Sequence, residues 1–319
     1  MTELESLPNE LLIYILKFLD STDVIKVAQT CKRLLQICQA EILWQHLCQR
    51  DFKFCSLRGW SCSSFHEVYG KVLYHYGKFQ GFWKLPGNAY GMLVHIKVEN
   101  GQIVGHVIQP PLSWNVVDPV RLKPLFIITV RDNECVVLCR QGCSAQIKME
   151  SEKATFKCET CLGDNKFPHI SEQILLAWLE EELESLRGNF DQRMLRHFLQ
   201  GNVSFLHRIY NLAEQTRYWS SLQLTKVPEP RGFSISPVTP GIFKGTYGSH
   251  GLEFVQITLS EDGYTLLGNK LTGDPNVPAG ETSLYIDLRQ PIRLTTDEQR
   301  NIDSLKECYC PYSSSSISV

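Results

Sequence analysis

Residues 7–12, Leu7-Pro8-Asn9-Glu10-Leu11-Leu12, and residues 43–48, Leu43-Trp44-Gln45-His46-Leu47-Cys48, bracket the stretch of this 319-residue chain that decides its fold. Pro8 suits the first turn of a helix, where its missing N–H would have no partner, and Glu10 adds a negative charge where the helix dipole favours one. Leu11, Leu12, Ile15, Leu16, Phe18 and Leu19 recur at spacings of three and four, but they fill more than one helical stripe. Asp20-Ser21-Thr22-Asp23 supplies a stop and a new N-cap. Val24, Val27, Ala28 and Cys31 then make a second apolar face, and Leu34, Leu35 and Ile37 a third. Three short helices are predicted, one with apolar surface to spare.

Outward from this stretch, composition sets the bounds. A hydrophobic fraction of 43% and a charged fraction of 21% are globular values, and the chain is long enough for one large domain or two modest ones. With 32 basic and 34 acidic residues the net charge is -2, so no field exists to hold nucleic acid or an anionic membrane as a principal partner. Residues 1–20 lack a secretory signal, and no stretch approaches the roughly 20 apolar residues that span a bilayer. The chain is therefore expected in the cytoplasm or nucleus, where its 12 cysteines are buried thiols or metal ligands rather than disulfides.

Residues 51–80 hold Trp60, Phe65, Tyr69, Tyr74, Tyr76 and Phe79, with helical spacing around 64–76, and read as a packed connector. At Gly81 the pattern changes to strands. Residues 92–99 and 102–108 flank Asn100-Gly101, the dipeptide of a type I′ hairpin, and 126–130 and 135–139 continue in that style. Residues 252–259 and 264–270 flank Asp262-Gly263, and 283–288 read as a further strand. Short strands joined by tight turns predict an antiparallel sheet that curls or closes. Between the two groups, Ile174, Leu175, Trp178, Leu179, Leu183 and Leu186 and a second series from Phe190 to Leu212 predict a helical insertion over about 171–219. The final serine-rich residues read as a loose tail.

Three residues separate Cys139 from Cys143, two separate Cys158 from Cys161, and fourteen lie between the pairs. Two close pairs across a short loop have the spacing of a structural zinc site, four thiolates around one ion. Cys135 and His169 are possible substitutes in the ligand set; the bland reading is four buried thiols that never meet. One set of four ligands makes a clasp, not a RING finger, which needs eight. Residues 241–253, Gly-Ile-Phe-Lys-Gly-Thr-Tyr-Gly-Ser-His-Gly-Leu-Glu, and 272–280, Thr-Gly-Asp-Pro-Asn-Val-Pro-Ala-Gly, are dense in glycine, which suits backbone that another chain approaches closely or, more plainly, a strand end and two turns.

The N-terminal pattern L-P-x-E-L-L-x-x-I-L-x-F-L, then D-V, C-K-x-L and L-W, resembles an F-box. That resemblance implies docking on the adaptor Skp1, and through it on a cullin and a RING protein, with Leu7, Pro8, Leu11, Leu12, Ile15 and Leu16 as the contact residues. The two glycine-rich segments, with Asp118-Pro119-Val120-Arg121-Leu122-Lys123-Pro124-Leu125-Phe126, are similar to the F-box only protein 31 family of cyclin-D1-binding substrate receptors. The likeness runs from Leu7 to about Ile302 and keeps the same order of segments. It implies a β-barrel-like domain that captures the C-terminal end of a cyclin-like protein substrate, with Lys244, Tyr247, His250, Asp274 and Asn276 as the residues that meet it. The family's zinc ligands are mixed Cys and His, whereas the matching positions here read as Cys139, Cys143, Cys158 and Cys161. Family members continue well past the point equivalent to Asn301, so a different closure or a partly open pocket is expected here.

The reading that results is an α+β chain: a three-helix F-box over 5–52, a helical connector over 53–80, an antiparallel β-barrel-like domain over 81–305 with a helical insertion and a structural Zn2+, and a tail over 306–319. Its expected function is that of a non-catalytic substrate receptor of a Skp1, cullin and F-box (SCF) ubiquitin ligase. An F-box scaffold acting without a cullin and a ligand-binding barrel are the alternatives. An enzyme is the least favoured class, because no nucleophile and base pair or phosphate loop of the G-x-x-x-x-G-K type stands out.

Overall fold

The helical part contains four helices where three were predicted. They are α1 (Asn9–Leu16), α2 (Ser21–Ala28), α3 (Lys32–Cys38) and α4 (Glu41–Phe52). The fourth forms because Leu43, Trp44, Leu47 and Cys48 recur on one face and are buried. Its Trp44 Nε1 donates to the Cys38 carbonyl at 2.7 Å, which ties it to the end of α3. The computed structural model describes residues 6–85, 89–111, 116–158, 221–229, 239–246, 252–274, 276–290 and 292–301. Cys161, His169, Tyr247, His250, the expected insertion and the expected tail lie outside the described residues. Among the described residues, no helix is long and apolar enough to cross a membrane.

The connector is helical as its spacing predicts, through α5 (Phe65–Val68), a π turn over Tyr69–Leu73, α6 (Tyr74–Tyr76) and a 3-10 turn over Gly77–Phe79. Ser64 caps α5 by accepting the Glu67 N–H at 3.1 Å, and Glu67 returns a bond to the Ser63 N–H at 2.8 Å. Two glycines lock the connector to its neighbours. Gly77 lies under the Phe52 ring, where a Cβ would come within 2.2 Å of that ring. Gly59 and Gly101 meet backbone to backbone, and a Cβ on Gly101 would fall 1.9 Å from the Gly59 carbonyl carbon.

Twelve strands follow among the described residues. β1 (Gly81–Leu85), β2 (Met92–Glu99), β3 (Gln102–Gln109), β4 (Arg121–Arg131), β5 (Glu134–Cys139), β6 (Ala145–Glu150), β7 (Lys153–Cys158) and β8 (Ser221–Lys226) form one antiparallel sheet in the order β5-β4-β3-β2-β1-β8-β7-β6. The Asn100-Gly101 turn has φ of 48° and 77°, the left-handed pair a type I′ hairpin requires. The sheet curls almost into a barrel. Phe126 of β4 stacks on Phe156 of β7 at 5.4 Å although several strands separate them in the sheet, so the contact crosses the interior. Gly105 makes room for the Phe126 ring, since a Cβ there would come within 2.5 Å of it. The edge strands β5 and β6 meet through a bridge between Leu138 and Ser144.

β9 (Gly241–Thr246), β10 (Leu252–Leu259), β11 (Thr265–Lys270) and β12 (Thr282–Asp287) make a second, four-stranded sheet in the order β12-β11-β10-β9. Leu93 and Ile108 from the first sheet pack against Leu252 and Phe254 of the second and Leu271 just after β11. The main core is continuous from Leu12, Leu16 and Val24 of the helices, through Trp60, Val68 and Val72 of the connector, to Trp83, Phe126 and Phe156 inside the curled sheet. The helices and the sheet are therefore held at a fixed spacing by shared packing, not joined by a free linker.

Candidate functional site

The two apolar stripes of α1 part company in the structure. Leu12 and Leu16 are 2% and 4% exposed, whereas Leu11, Tyr14, Ile15 and Phe18 are 49%, 61%, 42% and 71% exposed. These four residues fall at i, i+3, i+4 and i+7, one continuous face of a helix and the turn after it. Tyr14 and Phe18 touch edge to face at 5.3 Å. Leu12 and Leu16, expected to contact an adaptor, instead fill this chain's own core. Pro8 is exposed at the helix start, and Leu7 is half-buried against the core. Sequence reasoning missed Tyr14 and left Phe18 out of the contact set, although the spacing from Leu11 marks both.

Two arginines shape this face. Arg33 Nη2 donates to the Leu7 carbonyl at 2.6 Å and to Asn9 Oδ1 at 2.9 Å, so α3 holds the Leu7-Pro8 lead-in. Arg50 Nη1 donates to the carbonyls of Lys17 and Leu19 at 2.8 and 3.0 Å, at the end of α1.

Cys139, Cys143 and Cys158 come together at the seam where the barrel nearly closes, their sulfurs all within 4.8 Å of one another. Cys139 ends β5, Cys143 follows a tight turn through Gly142, whose φ is 79°, and Cys158 ends β7 opposite Ala145 of β6. The turn is closed by Cys139 N–H to Cys143 carbonyl at 2.9 Å and Gly142 N–H to Cys139 carbonyl at 2.8 Å. Burial pushes the Cys139 thiol up, but the N–H groups of Gln141 and Cys143 and the Cys158 and Cys143 sulfurs bond to it and hold it below the ordinary value. Four thiolates at about 2.3 Å from a zinc ion sit about 3.8 Å apart, so these three fit such an ion with modest adjustment. Cys161 would be the fourth. Cys135 does not join the group; burial, then the nearby Cys62, pushes its thiol up to about 11.

The residues expected to meet a substrate divide. Lys244 lies on β9 opposite Phe254 and donates through Nζ to the Asp118 carbonyl; burial lowers its pKa, and Asp118 partly offsets this. Asn276 is exposed, and its N–H donates to Asp274 Oδ1 at 2.7 Å. Asp274, expected to meet the substrate, is instead buried. Lys270, 1% exposed, bridges Glu253 at 2.8 Å and Asp274 at 2.7 Å, and the Val277 N–H adds a bond to Asp274 at 3.1 Å. Burial pushes the Asp274 carboxyl up, but Lys270 and the two N–H groups outweigh it and hold the pKa at about 2. Asp274 therefore organises the 271–280 loop from within. That loop in turn binds the 89–91 segment, through Gly273 N–H to Tyr90 carbonyl at 3.0 Å and Ala279 N–H to Ala89 carbonyl at 2.8 Å.

The helix with the open face belongs to a segment of recognisable class: residues 4–50 match the F-box-like family model. Residues 220–311 match the model of a Cyclin D1 binding domain. The chain is similar to F-box only protein 31 over 94% of its own residues. It is 32% identical over 314 residues to that protein from Homo sapiens, covering 94% of this chain and 55% of the relative. The Mus musculus protein is also 32% identical, with 59% of its length covered, and F-box only protein 31-B of Xenopus laevis is 31% identical, with 57% covered. The chain thus spans a little over half the length of these relatives. F-box proteins are typically non-catalytic substrate adaptors of SCF ligases.

Proposed function

We propose that this chain is a substrate-recognition subunit of an SCF ubiquitin ligase. The observation that carries the reading is the exposed face of Leu11, Tyr14, Ile15 and Phe18 on a helix matched by the F-box model. Skp1 covers that face and Leu7-Pro8, and through Skp1 come the cullin and the RING protein. Catalysis belongs to those subunits and the conjugating enzyme. This chain raises the effective concentration of a substrate beside them, and its continuous core keeps the two binding surfaces at one distance.

The sheet domain binds protein substrates by their C-terminal ends for ubiquitylation and degradation. The match to a Cyclin D1 binding domain supports cyclin-like candidates and a role in the cell cycle. The chain acts in the cytoplasm or nucleus. Lys244 of β9 and Asn276, the latter on a loop whose shape Asp274 sets from inside, meet the bound end together with Tyr247 and His250. The division into F-box, connector and substrate domain follows the boundaries near 52 and 80. Cys139, Cys143, Cys158 and Cys161 hold a structural Zn2+, which staples the seam between β5 and the β6–β7 hairpin.

The test compares one set of substrate-derived peptides as free acids, as amides and with C-terminal extensions, against the wild type and Lys244→Ala. The reading expects extension to abolish binding and Lys244→Ala to weaken it. Equal binding of all versions by both proteins means that the sheet domain does not read chain ends. Proteins that accumulate when the chain is removed should also co-purify with it.

A further inference from the structure

The exposed stripe of α1 ends on Phe18, a residue beyond the last turn of the helix and without core packing of its own to orient it, being 71% exposed. What fixes it is the backbone on either side. Just past the end of α1, Arg50 of α4 donates to the two carbonyls that flank Phe18, Lys17 at 2.8 Å and Leu19 at 3.0 Å. The Phe18 N–H itself bonds the Ile15 carbonyl at 3.1 Å.

Arg50 is in turn held from behind. Its Nε and Nη2 bind the two oxygens of Asp51 at 2.6 and 3.1 Å, a bidentate pairing that fixes the guanidinium plane. Tyr69 donates its hydroxyl to the same carboxylate at 2.9 Å. Tyr69 belongs to the π turn of the connector and is wedged against Trp44 at 5.2 Å and Phe52 at 5.5 Å. A line of contacts therefore runs from the connector, which is packed in the same core as the sheet, to the far end of the exposed stripe.

We propose that Arg50 is a positioning residue for adaptor docking: fixed by Asp51 and Tyr69, it sets the turn after α1 so that Phe18 completes the face with Tyr14. This rests on the receptor reading, since the occupant of the face is the Skp1 of that reading. Lysine cannot replace the arginine, because a single ammonium lacks the fork that reaches Asp51 and the carbonyls at once.

The experiment titrates Skp1 into the full chain carrying Arg50→Met or Arg50→Lys, each alone and combined with Phe18→Ala. Hydrogen exchange is followed in parallel over residues 17–20. Arg50→Met should weaken binding about tenfold, the effect of losing about one charge-assisted hydrogen bond's worth of ordering. In the Phe18→Ala background the same change should cost less than about twofold, because the two residues act on one contact. Arg50→Lys should fall between, and exchange at residues 17–20 should quicken in both variants. An equal loss in both backgrounds would show that Arg50 merely stabilises the helices, and would overturn the proposal. Unchanged affinity and exchange in Arg50→Met would overturn it alone, whereas a wild-type chain that fails to bind Skp1 overturns the receptor reading and this proposal with it.

Discussion

Gly101→Ala tests the claim that the helices and the sheet are held at one spacing by packing. Gly101 sits in the left-handed region at φ 77°, and its absent Cβ would lie 1.9 Å from the Gly59 carbonyl carbon and 2.0 Å from its oxygen. Both atoms are backbone, so no side chain can swing aside. An alanine in that conformation costs about 1–2 kcal/mol by local strain alone, and forcing apart two packed segments adds about 1–3 kcal/mol. The expected loss is therefore about 2–5 kcal/mol. Gly263 is the matched control, because its φ is 72° and nothing lies within 4 Å of its would-be Cβ. Gly263→Ala should cost only the first part, about 1–2 kcal/mol. Denaturant unfolding of both variants gives the difference, and hydrogen exchange should show the excess loss over residues 57–60 and 98–103. If the two substitutions cost the same, the Gly59–Gly101 contact does not hold the helices and the sheet at a fixed spacing.

Lys270→Met should destabilise the fold by about 3–5 kcal/mol in thermal or denaturant unfolding, since it strands Glu253 and Asp274 without their shared cation; an unaffected variant would mean that the triad is not buried in solution. Asp274 has a folded pKa of about 2, below the unfolded value near 3.9, so its contribution is complete above about pH 4 and disappears as pH falls toward 2. Unfolding curves between pH 5 and 2 should therefore steepen for the wild type relative to Asp274→Asn, and parallel curves would contradict the assignment. Elemental analysis should find one zinc per chain, and Cys158→Ala or a strong chelator should lower the unfolding temperature; a metal-free chain of equal stability would leave the three cysteines as core residues.

The sequence made the strand hairpins legible where turn chemistry and alternation agree. β2 and β10 lie on the expected residues, the expected strands at β3, β5 and β11 shift by one at an end, and that at β12 shifts by one at both. β4 proved longer, reaching back through Pro124 to Arg121, because a register shift at Gly105–His106 accommodates the proline. β6 and β7 were hidden by the cysteines around them, although Ala145, Ile147, Ala154, Phe156 and Cys158 alternate inward along the two strands. β9 was masked by its glycines, which read as loop. In the helices, the excess of apolar surface on α1 was visible, but the choice of which stripe faces inward depends on α2, α3 and α4 together. Asp274 shows the same limit from the polar side: a lone acidic residue between glycines reads as exposed, and only the placement of Lys270 and Glu253 by two other strands buries it.

The account stands or falls on the exposed face of α1. The direct measurement is calorimetric titration of purified Skp1 into the wild-type chain and into Leu11→Glu/Ile15→Glu. Each aliphatic side chain buried by a partner is worth roughly 1.5–3 kcal/mol, so the wild type should bind and the double variant should lose detectable binding. The unfolding of the sheet domain should not change, because both side chains are exposed in the free protein. Skp1 binding that survives the double substitution would contradict the assignment of this face, and with it the receptor function.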